Sequence, residues 1–334
     1  MDQFSAHIDR GWELIQKGDA RGAEASARQA LELDPQSPEA HHLLGYVAAL
    51  EGEAYDAVDY YRQAIALDET YLEAMLNAAE VYIHPLALYD EAINMCEQAL
   101  GLTESDSEVI DTLLLMFDAM LGKADVASAR TVAMRIPTGP YENPNHKFLV
   151  GRAYYEIGEV EMAAPLIEEA ANTDSDNGEA WYYLGLIRDE RGDTRGATTA
   201  FLRAREVDLE EPPLPWSAPK ALFREVATSA INAIAKELRP FVAHSQVYFA
   251  DAPGVEVVAD GVDPRALLLV NDAETDTELH HPVCECIFVY KNNIERVAGS
   301  FERLEPTIVE ALEREIESIF PDATKLAPQS HLLN

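Results

Sequence analysis

Basic residues are scarce in this 334-residue chain: 25 Lys and Arg stand against 60 Asp and Glu, a formal charge of −35. A field of that sign excludes a duplex nucleic-acid binder that works by neutralising phosphates. Cysteines number three, too few for a disulfide framework, and they fit a reducing cytoplasm. No apolar run approaches the ~18 residues that a membrane-spanning helix needs. Neither nucleic acid nor a membrane is therefore expected as a partner. The opening Met1-Asp2-Gln3-Phe4 lacks the basic and apolar regions of a secretory signal. What the chain does have is a 48% hydrophobic share, enough for sizeable cores, and a length that points to two or three domains.

The hydrophobic share is arranged in a repeat. Gly11, Ala23 and Ala30 recur 34 residues later as Gly45, Ala57 and Ala64, and Gly18 recurs as Gly52. Gly151, Gly158, Ala163 and Ala170 recur in the same way as Gly185, Gly192, Ala197 and Ala204. Small residues at fixed spacing are what two antiparallel helices need where they cross closely. This pattern resembles the tetratricopeptide family, and the best copy is Trp181-Tyr-Tyr-Leu184-Gly185 followed by Ala197, Phe201 and Ala204. Copies run over about 4–37, 38–71, 72–105, 144–177 and 178–211, with a degenerate one at 106–143. Ala92 and Ala99 fall one residue late, which predicts an insertion between the two helices of the third copy. The segment Pro137-Thr-Gly-Pro140 to Pro144 predicts a bend or a break in the stack.

The resemblance implies an α-helical superhelix over residues 4–211 whose concave groove binds a protein or peptide. The register places Trp12, Tyr46, Phe148, Tyr155 and Tyr182 in that groove, with Glu39, Glu73, Glu80, Glu179 and Asp189. The Lys, Arg and Asn residues with which some members grip a partner's C-terminal carboxylate are missing from the first three copies. Residues 29–122 hold 19 acidic residues and one basic residue, Arg62, a net of −18. Two readings of this charge stand side by side: a field that attracts a basic partner, or a solvated surface that keeps the chain soluble. The groove aromatics likewise either meet a ligand or pack between neighbouring repeats.

Four prolines in 212–219 end the repeat pattern and predict a stiff linker. Beyond it, a helix with Leu222, Phe223, Val226, Ala230, Ile234 and Leu238 on its apolar side precedes a strand at 246–250. A buried segment at 264–270 and a strand at 286–290 follow, then helices near 292–298 and 301–320. This order predicts a small α+β domain over 220–321 and a tail over 322–334.

Four stretches of it resemble the small bacterial metallopeptidase-like proteins of zincin fold. They are Phe223-Arg-Glu-Val, Val247-Tyr-Phe-Ala-Asp-Ala-Pro253, Gly261-Val-Asp-Pro-Arg265 and Ile287-Phe-Val-Tyr-Lys-Asn-Asn-Ile-Glu-Arg296. The resemblance implies a zinc site on the last helix, where H-E-x-x-H puts two imidazoles on one face and a general-base Glu between them. Here Glu315 keeps the base position, while Arg314 and Ser318 stand where the ligands belong. A guanidinium cannot bind a cation, and a neutral hydroxyl binds zinc poorly. The expectation is a degenerate zincin-like domain with no catalytic residue and no cofactor.

One alternative stays open: His280, His281, Cys284 and Cys286 are close enough in sequence to hold a zinc ion for a peptidase of non-standard site. Cys284 and Cys286 are expected on one face of a single strand, where they equally read as small buried hydrophobes. Asp272, Glu274, Asp276 and Glu278 read as an acidic loop. His7, His41, His42, His84, His146 and His244 are scattered and read as packing or surface residues. The sequence thus predicts an acidic, non-catalytic adaptor for a protein or peptide, with a basic segment as the favoured occupant of its groove.

Overall fold

A computed structural model describes residues 2–141, 143–271, 273–275 and 282–320. Two compact units divide after Asn172. In the first, α1 (Gln3–Gln16) and α2 (Ala20–Leu33), α3 (Pro38–Leu50) and α4 (Ala54–Leu67), and α5 (Leu72–Ile83) and α6 (Tyr89–Leu100) form successive hairpins, followed by α7 (Asp106–Gly122) with α8 (Val126–Ala133), and α9 (Pro144–Glu156) with α10 (Val160–Thr173). Helix starts are set by side chains that accept orphan backbone N–H groups. Ser37 accepts from the Ala40 N–H, and Ser105 with Glu108 forms a reciprocal capping box. Gly18 and Gly52, with φ of +76° and +81°, make the left-handed turns that reverse the chain within the first two hairpins.

The small residues of the repeat do what their spacing implies. A side-chain carbon on Gly45 would lie 2.6 Å from the Tyr61 ring, so α4 can press its buried tyrosine onto the α3 backbone only because residue 45 has none. The extra residue of the third copy lies in the longer connection between Ile83 and Tyr89. The 137–144 segment does not break the stack. Helix α9 docks on α7 through His146 Nε2 to Asp111 (2.8 Å) and Arg152 Nη2 to both oxygens of Asp118 (2.8 and 2.9 Å).

The second unit opens with the hairpin α11 (Gly178–Glu190) and α12 (Thr194–Glu210). Gly185 faces Phe201 there, with 2.4 Å from a would-be side-chain carbon to the ring. Gly185→Val is therefore expected to destabilise this unit by about 1–3 kcal/mol through overpacking. Urea unfolding of the variant checks this, and an unchanged midpoint would mean that the crossing is loose.

Helices α13 (Lys220–Ala233) and α17 (Leu304–Ile319) then cover one face of a three-stranded sheet. Its strands are β1 (Gln246–Ala250), β2 (Leu268–Val270) and β5 (Cys286–Tyr290), in the order β1-β5-β2, with β1 parallel and β2 antiparallel to β5. Alternation sends Val247, Phe249, Ile287 and Val289 to the core, against Phe223, Ala227, Ile308 and Leu312. Short helices α14 (Arg239–Val242), α15 (Val255–Ala259) and α16 (Lys291–Ala298), and the ribbon of β3 (Ala273–Thr275) and β4 (Pro282–Cys284), complete this α+β region.

Three features differ from expectation. The apolar period through Ile234 and Leu238 does not stay helical: α13 ends at Ala233, and the Glu313 carboxylate accepts the Ala235 N–H at 2.7 Å. Residues 284 and 286 belong to separate strands, β4 and β5. The proline-rich stretch is not a free spacer, because Trp216 packs on the core and Glu295 accepts from the Ser217 hydroxyl and the Ala218 N–H.

Candidate functional site

The second and third hairpins converge on a cleft of about 300 Å³, lined by Tyr46, Ala49, Leu50, Tyr61, Asn77, Glu80, Val81, His84 and Pro85 among others. Behind it lies a polar cluster centred on His42. Its Nε2 accepts from the Asn77 side-chain amide and its Nδ1–H donates to the Tyr71 hydroxyl, both at 2.8 Å. Rings of Trp12, Tyr61 and Tyr71 surround the imidazole at 5.5, 5.7 and 4.9 Å. Burial pushes the His42 pKa down to about 4, so the ring is neutral at physiological pH. Tyr46 stands edge-on to Trp12 at 5.3 Å. Burial raises the Tyr61 phenol, and the neighbouring Tyr46 and Glu80 add to that. Glu80 is exposed, and its carboxylate has no hydrogen-bond or ion-pair partner among the described residues.

Of the residues placed in the groove from sequence, Tyr46 and Glu80 line the cleft, and Trp12 packs against Tyr46 without lining it. Glu39 accepts from Ser37 at the start of α3, and Glu73 is exposed. Phe148 and Tyr155 are half-buried on α9. In the second unit, Tyr182 and Glu179 are already engaged by the chain itself. The Tyr182 hydroxyl donates to Asp263 at 2.8 Å, and the Arg265 guanidinium lies 4.4 Å from the centre of its ring. Arg265 also bonds both oxygens of Asp208 (3.0 and 3.1 Å) and pairs with Glu179 at 2.7 Å. Burial works to raise the Asp208 pKa, but hydrogen bonds from Arg296 and Arg265 outweigh it and hold the carboxyl below its ordinary value. Asp189 is exposed.

His42, which the sequence reads as a packing or surface residue, is buried at the centre of this cluster, and Tyr61, Tyr71 and Asn77 are not among the residues that the register places in the groove. One signal could have found the first: His42 precedes Gly45 by the same interval as Tyr182 precedes Gly185.

On α17, Arg314 and Ser318 are exposed and Glu315 is half-buried, while Leu304, Ile308, Ala311, Leu312 and Ile316 face the core. These side chains do not fit a zinc site, since a guanidinium offers no lone pair. Cys284 is buried and its thiol is pushed up to about 11 by that burial, which disfavours the thiolate a metal would need. Cys286 is half-buried. His280 and His281 lie outside the described residues, as do Asp272, Asp276 and Glu278. Among the described residues, no three His, Cys, Asp or Glu side chains are grouped to hold a metal ion. No helix among them is long and apolar enough to cross a membrane.

Comparison with known proteins matches this architecture. A tetratricopeptide-repeat family model covers residues 8–71 and 148–211, and a second covers 74–110. The type IV pilus assembly protein PilF of Pseudomonas aeruginosa (strain PAO1) is 34% identical over 87 residues, which is 26% of this chain and 34% of PilF. The match thus spans about a third of that relative's length. Among solved structures, P. aeruginosa PilF aligns over 63% of this chain and 93% of its own, with a TM-score of 0.54 and 20% identity. PilW, described as a widely conserved type IV pilus biogenesis factor, aligns over 62% and 94%, with a TM-score of 0.53 and 15% identity. Period, crossing glycines, hairpins and family models agree: residues 8–71, 74–110 and 148–211 of this chain are tetratricopeptide repeats.

Proposed function

We propose that the chain is a non-catalytic adaptor that holds a basic segment of a partner protein in the cleft between its second and third hairpins. The observation behind this reading is the cleft itself: the half-buried Tyr46 ring, an unpaired carboxylate at Glu80 and no Lys or Arg, set in a stretch of net charge −18. Tetratricopeptide proteins bind proteins or peptides, and such a field speeds encounter with a cationic partner in a salt-dependent way. Identity to a protein named for pilus assembly supports an assembly adaptor as the class of role. We further read the α+β region as a zincin-like fold without its metal ligands, serving as a second contact surface.

A photo-crosslinker placed at Ala49, on the cleft wall, tests this. Adducts formed in cells are expected to map to one segment of one protein, rich in Lys or Arg, and to disappear with Tyr46→Ala. Adducts no different from those of the same probe at Glu97, exposed on α6 and away from the cleft, would refute it.

A further inference from the structure

The adaptor reading leaves open which side chain enters the cleft, and the lining chemistry narrows the choice. An apolar side chain would take water from the Glu80 carboxylate and return no partner, a costly exchange. An anion would meet the surrounding negative field. The only basic residue within 29–122, Arg62, lies over the Tyr82 ring at 5.7 Å and is not among the cleft residues. His42 is neutral and occupied by Asn77 and Tyr71. The cleft therefore offers the half-buried Tyr46 ring and the Glu80 carboxylate to an incoming cation, while the Tyr61 ring is buried in the wall behind them.

The second unit displays the same chemistry with its ligand in place. There the guanidinium of Arg265 is stacked on Tyr182 and bonded to Glu179 and Asp208. The positions that stand from Gly45 as these three residues stand from Gly185 are His42, Glu39 and Asp68, which do not line the cleft, so the likeness is one of chemistry and not of position. A ring and carboxylates on a repeat hairpin of this chain thus hold an arginine. A planar guanidinium is the better match for such a site than an ammonium, since it stacks on an aromatic face while its edge donates to a carboxylate.

Resting on the adaptor reading, we infer that the cleft beside Tyr46 and Glu80 is a receptor for one arginine side chain of the partner. The guanidinium stacks on the Tyr46 ring and donates to the Glu80 carboxylate. At about 300 Å³ the cleft is at the small end of ligand sites, as suits one side chain and not a folded element.

Fluorescein-labelled Gly/Ser peptides carrying three arginines, three lysines or three citrullines, titrated into the full chain at low ionic strength, test the assignment by anisotropy. The arginine peptide is expected to bind, the lysine peptide several-fold more weakly, and the uncharged citrulline peptide not measurably. Glu80→Gln is expected to weaken the arginine peptide about tenfold, the usual worth of a charged hydrogen bond. Glu97→Gln removes the same charge elsewhere and should leave affinity within about twofold. Equal losses in the two variants would reduce the effect to bulk charge, and equal binding of arginine and lysine would overturn the guanidinium assignment. Failure here with a partner still cross-linked at Ala49 removes the arginine receptor and spares the adaptor. Absence of that cross-link removes the adaptor itself.

Discussion

Replacing Glu295 by alanine is expected to cost the C-terminal unit about 3–5 kcal/mol, the usual penalty for stripping one partner from a buried ion pair. The carboxylate is 3% exposed and accepts from three donors: Lys291 Nζ at 2.7 Å, the Ser217 hydroxyl at 2.8 Å and the Ala218 N–H at 2.9 Å. Alanine would leave the Lys291 ammonium with only the Ser217 hydroxyl and would strand the buried Ala218 N–H. Guanidinium unfolding followed by the fluorescence of Trp216, which packs on the same core, measures the loss. Pairing Glu295→Leu with Lys291→Met should recover most of it, because a neutral apolar pair leaves no unmatched charge. A loss below about 1 kcal/mol for the single variant would show that the pair behaves as a solvated surface contact.

Acid should act on the N-terminal unit through a different residue. His42 is neutral in the folded state, with a pKa near 4, while an unfolded chain takes up the proton near 6.5. Because the folded value is the lower one, the unfolded state binds more protons between those limits. Stability is then full above about pH 6.5 and falls as the pH drops toward 4, by about 3 kcal/mol in total. Protonation also removes the lone pair with which Nε2 accepts from Asn77, so the loss has a structural cause in the cleft. Carboxyls held low by their hydrogen bonds, such as Asp208, contribute stability above their unfolded pKa near 3.8 and lose it only below that, outside this window. Urea unfolding at pH 7, 5 and 4 should show the slope in the wild type and a flatter line for His42→Gln. Parallel lines would assign the acid response elsewhere.

How much of this could be read beforehand depended on where the determining contact lies. Gly45 and Gly185 announce helix crossings because a close approach tolerates no side chain, a constraint the sequence displays at fixed intervals. Strands β1 and β5 were equally plain, since alternation and β-branched or aromatic residues are local signals. The end of α13 was not legible, because the group that takes over at Ala235 is Glu313, 78 residues away. The same holds for the stretch after Pro212, whose prolines speak of stiffness while its anchor, Glu295, arrives much later in the chain. Within the cleft, Tyr46 and Glu80 follow from the register, but Tyr61 does not. Nor does the His42 cluster, for it needs Tyr71 and Asn77 from the next repeat. The Lys-Asn-Asn-Ile-Glu-Arg run noticed for its resemblance has a physical content of its own. Lys291 pairs with Glu295, Asn293 donates to the carbonyls of Pro264 and Ala266, Ile294 is buried and Arg296 reaches Asp208.

Arg265 is tethered to the hairpin that it grips, and this decides what an outside molecule can do there. A ligand held by its own chain competes at a local concentration in the millimolar range or above, whatever is dissolved around it. A visitor seeking Tyr182 and Glu179 must outcompete a resident that never diffuses away. The last hairpin is thereby closed to weak binders, whereas the Glu80 carboxylate on α5 has no counter-charge among the described residues.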